Sequence, residues 1–126
     1  EGAYRWMSGL GELRLRMDSP RLRLTLGAVS AEIMKKAGAG APVGVTVELM
    51  DESTGERRPV GRIDDLREGD QSVEMQVPAE FFGNSSGRIV KLRLASDWTW
   101  RPIDVLPGNG DTRDLSVRVV EVAFVP

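Results

Sequence analysis

The sequence predicts an all-β protein, an antiparallel β-sandwich or jelly roll of about seven to eight strands with one or two short helical turns. Three observations predict it. Apolar and polar residues alternate with a period of two in run after run, the pattern of half-buried extended chain. Clusters of Gly, Pro, Asn, Asp and Ser punctuate these runs about every ten residues. The apolar stretches are strand-sized, and no internal repeat of solenoid or propeller length is visible.

The elements follow in chain order. Tyr4–Met7 is a candidate first strand. Leu13, Leu15 and Met17 alternate with Glu12, Arg14 and Arg16. Beyond the turn signal Asp18-Ser19-Pro20, Leu22, Leu24 and Leu26 alternate with Arg21, Arg23 and Thr25, so the two runs read as a hairpin. Ala28–Ala41 breaks the pattern. Ser30 can cap a short helix with Ile33 and Met34 inward and Lys35 and Lys36 at its end, where cations suit the dipole. Val45, Val47 and Leu49 form the next strand, before a turn at Asp51–Gly55. A short strand over Val60–Ile63 precedes the turn at Gly69-Asp70, and Val73, Met75 and Val77 follow. Pro78-Ala79-Glu80-Phe81-Phe82-Gly83 reads as a single helical turn ended by glycine. Val90, Leu92 and Leu94 then alternate with Lys91 and Arg93.

The last strand, Leu115–Val125, changes phase. Leu115, Val117 and Val119 share one face; Val120, Val122 and Phe124 share the other. A β-bulge at Val119 and Val120 keeps the apolar set on the core side, since otherwise Arg118 and Glu121 would have to be buried.

The chain of 126 residues is the length of one domain, 1–126, and 40% hydrophobic content suffices for a core. It begins with Glu1 rather than Met and opens on nothing like a signal peptide, so we expect a domain excised from a larger protein. No run of 18 apolar residues is present, and no direct membrane span is expected. With 17 basic and 19 acidic residues the net charge is −2, which disfavours a nucleic-acid partner. Arg14, Arg16, Arg21 and Arg23, spaced by two, read as a solvated sheet face. Cysteine and histidine are absent. Disulfides, zinc held by Cys or His, cysteine nucleophiles, histidine bases and Ser-His-Asp triads are thereby excluded.

The segment Asp97–Phe124 is the richest in chemistry. Trp98 and Trp100, separated by two, share a face in extended backbone, with Asp97 and Arg101 beside them. A sugar offers an apolar C–H face to an indole and hydroxyls to fixed polar groups, so this set suits carbohydrate. The competing reading has one or both indoles plugging the end of the sandwich, as tryptophan is usually largely buried. Tyr4 and Trp6 are further aromatic candidates, with Trp6 expected to pack. In PGNGDTRD, Asn109, Asp111 and Arg113 either grip a polar ligand or hold the loop to the sheet. Our candidate ligand-binding set is therefore Trp98, Trp100, Asp97, Arg101, Asn109, Asp111 and Arg113.

No catalytic residue, metal site or cofactor is expected. A calcium ion needs six to eight oxygens; Asn109, Asp111 and Asp114, with Asp64 and Asp65 elsewhere, show no ordered ligand spacing. The carboxylates at Asp51-Glu52, Asp64-Asp65 and Asp104 lie in hydrophilic turns, where the raised pKa of a glycosidase acid is not expected. Ser8 is not in a nucleophile elbow, Gly38-Ala39-Gly40 lacks the lysine of a phosphate loop, and Asn84-Ser85-Ser86 matches the N-glycosylation triplet only at chance level.

The order YRWMSGLGELRLRM, RLRLTL, PVGVTVELMD, VGRI, VEMQVP, KLRLASDWTWRPIDV and GDTRDLSVRVVEVAF resembles accessory galactose-binding-like or jelly-roll β-sandwich domains. Such domains are attached to bacterial cell-envelope glycosyltransferases and polysaccharide-assembly proteins. The resemblance spans nearly the whole chain and rests on Arg5-Trp6, Ser96-Asp97, Pro102, Asp111, Arg113 and Leu115. Ser116 stands where such domains often have glycine. The resemblance implies a noncatalytic, glycan-facing module, extracytoplasmic at a bacterial envelope, whose partners are glycan and the neighbouring domains of its parent chain. A purely structural or protein-interaction sandwich without a small-molecule ligand is the alternative.

Overall fold

The computed structural model describes residues 5–6, 8–28, 30–37, 43–66, 69–105, 108, 110 and 115–126. Among these residues, eight strands form two four-stranded antiparallel sheets. The strands are β1 (Arg5–Trp6), β2 (Leu10–Arg16), β3 (Arg21–Ala28), β4 (Val43–Asp51), β5 (Arg57–Leu66), β6 (Gly69–Gln76), β7 (Ile89–Ser96) and β8 (Arg118–Val125). Helix α1 (Ala31–Lys36) lies between β3 and β4, α2 (Ala79–Ser85) between β6 and β7, and α3 (Pro102–Val105) between β7 and β8.

One sheet runs β1-β8-β3-β6 and the other β2-β7-β4-β5. The pairs β4–β5, β3–β6, β2–β7 and β1–β8 are those of one long hairpin wound into two layers. This is jelly-roll topology, and the all-β sandwich expectation holds. The tip of that hairpin is the turn after β4. There Gly55, at φ 78°, donates its N–H to the Asp51 carbonyl at 2.7 Å. Because successive strands alternate in direction, β1, β3, β5 and β7 finish at one end of the sandwich. β2, β4 and β6 finish at the other.

The core lies between the layers. Leu22, Leu24 and Leu26 of β3 face Val45, Val47 and Leu49 of β4 and Val90, Leu92 and Leu94 of β7, all buried. Burying each such side chain stabilises the fold by about 1.5–3 kcal/mol. Phe81 of α2 is fully buried within this cluster and Met34 of α1 nearly so. Ser30 caps α1 as expected, its hydroxyl accepting from the Ile33 N–H at 3.3 Å, with Lys35 and Lys36 in the last turn. On β8 the register jumps: Thr25 faces Glu121 and Leu26 faces Val119, leaving Val120 as the extra residue. The bulge lies where the phase slip puts it, and Val119, Val122 and Phe124 all pack on the core.

Three expectations need correction. The runs on either side of Asp18-Ser19-Pro20 are not a hairpin: β2 and β3 belong to different sheets. Alternation gives each run an apolar face, but it is silent on which layer carries that face, and the expected inward Leu13 of β2 is exposed. Met17, fully buried at the crossing, pairs instead with the β7 approach: its N–H meets the Arg88 carbonyl at 2.9 Å and its carbonyl the Gly87 N–H at 2.8 Å. Helix α2 runs on to Ser85 rather than stopping at Gly83, and the left-handed glycine that follows it is Gly87, at φ 76°. The strand expected at Val60–Ile63 extends over Arg57–Leu66. Of the first candidate strand, Tyr4 and Met7 lie outside the described residues.

Candidate functional site

The described candidate residues, Asp97, Trp98, Trp100 and Arg101, fall on the segment that leaves β7, at the end where β1, β3, β5 and β7 finish. Asp97 directly follows β7 and grips the start of β4 twice. Its N–H donates to the Gly44 carbonyl at 3.1 Å, and its Oδ1 accepts from the Gly44 N–H at 3.0 Å. Its Oδ2 accepts from Arg62 Nη2 at 2.8 Å. The Arg62 guanidinium also donates to Asp64 Oδ1 at 2.5 Å and to Thr46 Oγ1 at 3.1 Å. Gly44 is buried, and a Cβ there would run into the Arg62 and Asp97 side chains. Its missing side chain is what lets the pair lie against the sheet.

The charges tune one another. Partial desolvation pushes the Asp97 carboxyl up, but the Gly44 N–H and Arg62 outweigh it and hold the group below its ordinary range. The bonds to Asp64 and Asp97 raise Arg62 above its ordinary value.

The tryptophans differ. Trp98 is partly buried and packs against the core. Its backbone is clasped by Ser96, whose Oγ accepts from the Trp98 N–H at 3.2 Å and donates to the Trp98 carbonyl at 2.8 Å. Trp100 is only 7% exposed and belongs to the core cluster. It exchanges two backbone hydrogen bonds of 2.7 Å with Leu115. Trp100 is therefore a plug, and Trp98 keeps the more accessible indole.

Arg101 is exposed and forks onto Asp104, with Nε to Oδ2 at 2.9 Å and Nη2 to Oδ1 at 3.2 Å. This pair spans the start of α3, a helix that sequence reading missed, although Pro102 at its first position is the residue such a start favours. Asn109, Asp111, Arg113, Asp114, Tyr4 and the loop Gly38–Gly40 lie outside the described residues, as does the Trp6 side chain. Arg62 and Gly44 were also missed, and Asp64, expected in a hydrophilic turn, lies on β5. The available signal was a glycine inside the apolar strand PVGVTVEL, which marks close approach by another group.

At the opposite end, Asp51 departs from its expected place in a hydrophilic turn: it is fully buried. Ser85 Oγ donates to its Oδ2 at 2.6 Å, the Ser53 N–H to its Oδ1 at 2.8 Å, and Arg88 Nη1 lies 3.4 Å away. The Ser85 bond is the chief cause that holds this carboxyl below its ordinary range, against the upward push of burial, with Ser53 and Arg88 adding to it. A carboxyl so held is a structural anion and not a proton donor at neutral pH.

Among the described residues, no group of three His, Cys, Asp or Glu side chains could hold a metal ion, and no helix is long and apolar enough to cross a membrane. Compared with known proteins, the chain matches no protein-family model and no curated protein.

Proposed function

We propose that this chain is a noncatalytic accessory module of a glycan-assembly protein of the glycosyltransferase type, and that it binds or positions carbohydrate. The observation that carries the reading is the partly buried Trp98, next in sequence to Asp97, whose carboxylate joins the Arg62–Asp64 cluster at this end of the sandwich. An indole supplies the apolar surface for a sugar face. A charged hydrogen-bond network held rigid by Gly44 supplies fixed polar partners at no ordering cost. Of the seven candidates, Trp98 and Asp97 remain here, joined by Arg62, which was not among the seven; Trp100 is in the core, Arg101 binds Asp104 of α3, and Asn109, Asp111 and Arg113 lie outside the described residues. The bacterial-envelope setting and a glycosyltransferase neighbour rest on the sequence resemblance.

A second reading is a structural or protein-interaction sandwich. It is favoured by the same engagements: Asp97 spends both carboxylate oxygens inside the fold. A glycan array followed by Trp98→Ala separates the two. Millimolar-range binding to envelope-type oligosaccharides that is lost in Trp98→Ala, with the melting temperature nearly kept, supports carbohydrate recognition. Absence of binding across the array leaves the structural reading.

A further inference from the structure

We propose that β2 is a self-association edge: two copies of this chain pair their β2 strands antiparallel about a two-fold axis at Leu13, fusing one sheet of each copy into a continuous sheet. Among the described residues, β2 is an edge strand, paired with β7 on one side only. Its pairing with β7 runs without a register shift from Leu10 to Arg16. The strand contains no proline, and its core-facing positions Gly11, Leu13 and Leu15 carry no charge. Edge strands left in this state are templates for pairing. The opposite edge of the same sheet is protected: β5 carries Pro59 and two register shifts against β4.

Exposed apolar surface marks the same place. Among the described residues, the exposed large hydrophobics are Leu10 at 42%, Leu13 at 37% and Ile89 at 36%. The first two are on β2, and Ile89 pairs with Arg16 at its end. Leu13 faces the same side of the sheet as its buried partner Leu92, yet is left open.

Charge complementarity selects a second copy as the occupant and sets its register. About Leu13, Glu12 of each copy falls opposite Arg14 of the other, Leu13 opposite Leu13, and Gly11 opposite Leu15. The neighbouring registers that keep the apolar face inward place Arg14 on Arg14 or Glu12 on Glu12, and like charges directly opposite destabilise a pair. Each copy already extends the network. Arg14 is bound to Glu52 at 2.8 and 2.9 Å while its side chain stays 65% exposed, and Glu12 lies 3.7 Å from Arg93. Association therefore builds an alternating row of Glu52, Arg14, Glu12 and Arg93 across the two-fold axis, an isologous contact that closes on itself.

One strand addition is a small interface, so the dimer forms with a Kd of roughly 10–500 µM. Sedimentation velocity of the 126-residue chain from about 10 µM to about 1 mM reads this as a shift from monomer to dimer mass. Glu12→Arg and Arg14→Glu, both at exposed positions, should each weaken self-association at least ~10-fold by opposing like charges. An equimolar mixture of the two variants should associate again, because every cross-copy pair is then of opposite sign. A chain that stays monomeric at every concentration overturns the proposal. So does a single variant that associates as the parent does, or a mixture that stays monomeric. Amide exchange of the parent chain across the same concentrations is the second readout. β2 amides should gain protection, and gain at β5 instead would overturn it.

Discussion

The two ends of this sandwich each hold a carboxylate at the finish of a strand, and they use it differently. Asp51 ends β4 fully buried, with the Ser85 hydroxyl of α2, the Ser53 N–H of the turn after β4 and the Arg88 guanidinium converging on it. Asp97 follows β7 at the surface and ties β7 to β4 and β5 through Gly44 and Arg62. A buried anion cannot be re-solvated when it loses a partner, whereas an exposed one can. The Asp51 end is therefore a lock on the fold. The Asp97 end is tied together but exposed, and Trp98, next in sequence, is only partly buried. A module that must keep its shape while presenting a surface needs both.

Perturbations sharpen this contrast in descending order of effect. Trp100→Ala removes the plug and should cost about 3–5 kcal/mol, read by urea unfolding. Asp51→Ala leaves the Ser85 hydroxyl and the Ser53 N–H without their buried acceptor and should cost about 2–3 kcal/mol. Trp98→Ala, at a partly buried position on the same loop as Trp100, should cost well under half as much as Trp100→Ala; equal losses would mean that both indoles are plugs. Gly44→Ala forces the Arg62 and Asp97 side chains to move, and since these are flexible tips the loss should be about 1 kcal/mol. Asp97→Asn should change stability least.

Acid should separate the ends too. Asp51 and Asp97 both have folded-state pKa values held below the ordinary carboxylate value of about 3.9. Their contribution is therefore fully present above that value and is lost as pH falls through the folded-state pKa. The melting temperature should drop steeply below about pH 4. Asp51→Asn should flatten that drop more than Asp97→Asn does, because the buried group has no water to replace its partners. Matching profiles for the two variants would contradict the difference drawn between the ends.

Features written in local sequence were legible. The bulge at Val120 announced itself as a phase slip between Val119 and Val120, and the Ser30 cap as a serine before an amphipathic turn. The two-layer arrangement of β2 and β3 was not legible, because alternation reports which face is apolar and not which sheet receives it. The burial of Asp51 was hidden for a related reason. Asp51-Glu52 reads as a polar turn, and only the distant α2 supplies the Ser85 hydroxyl and the cover. Arg62 escaped notice because its partners Asp97 and Gly44 come from other strands, brought together by the jelly-roll winding.

The most direct test of the whole account is a two-dimensional amide and indole NMR titration with envelope-type oligosaccharides at millimolar concentration. Shifts should concentrate at the Trp98 indole N–H and at the amides of Gly44, Asp97 and Thr99, while the Trp100 indole and the amides of Ser53, Ser85 and Gly87 stay in place. Shifts centred on the Asp51 end, or none at Trp98 at any sugar concentration, would contradict it.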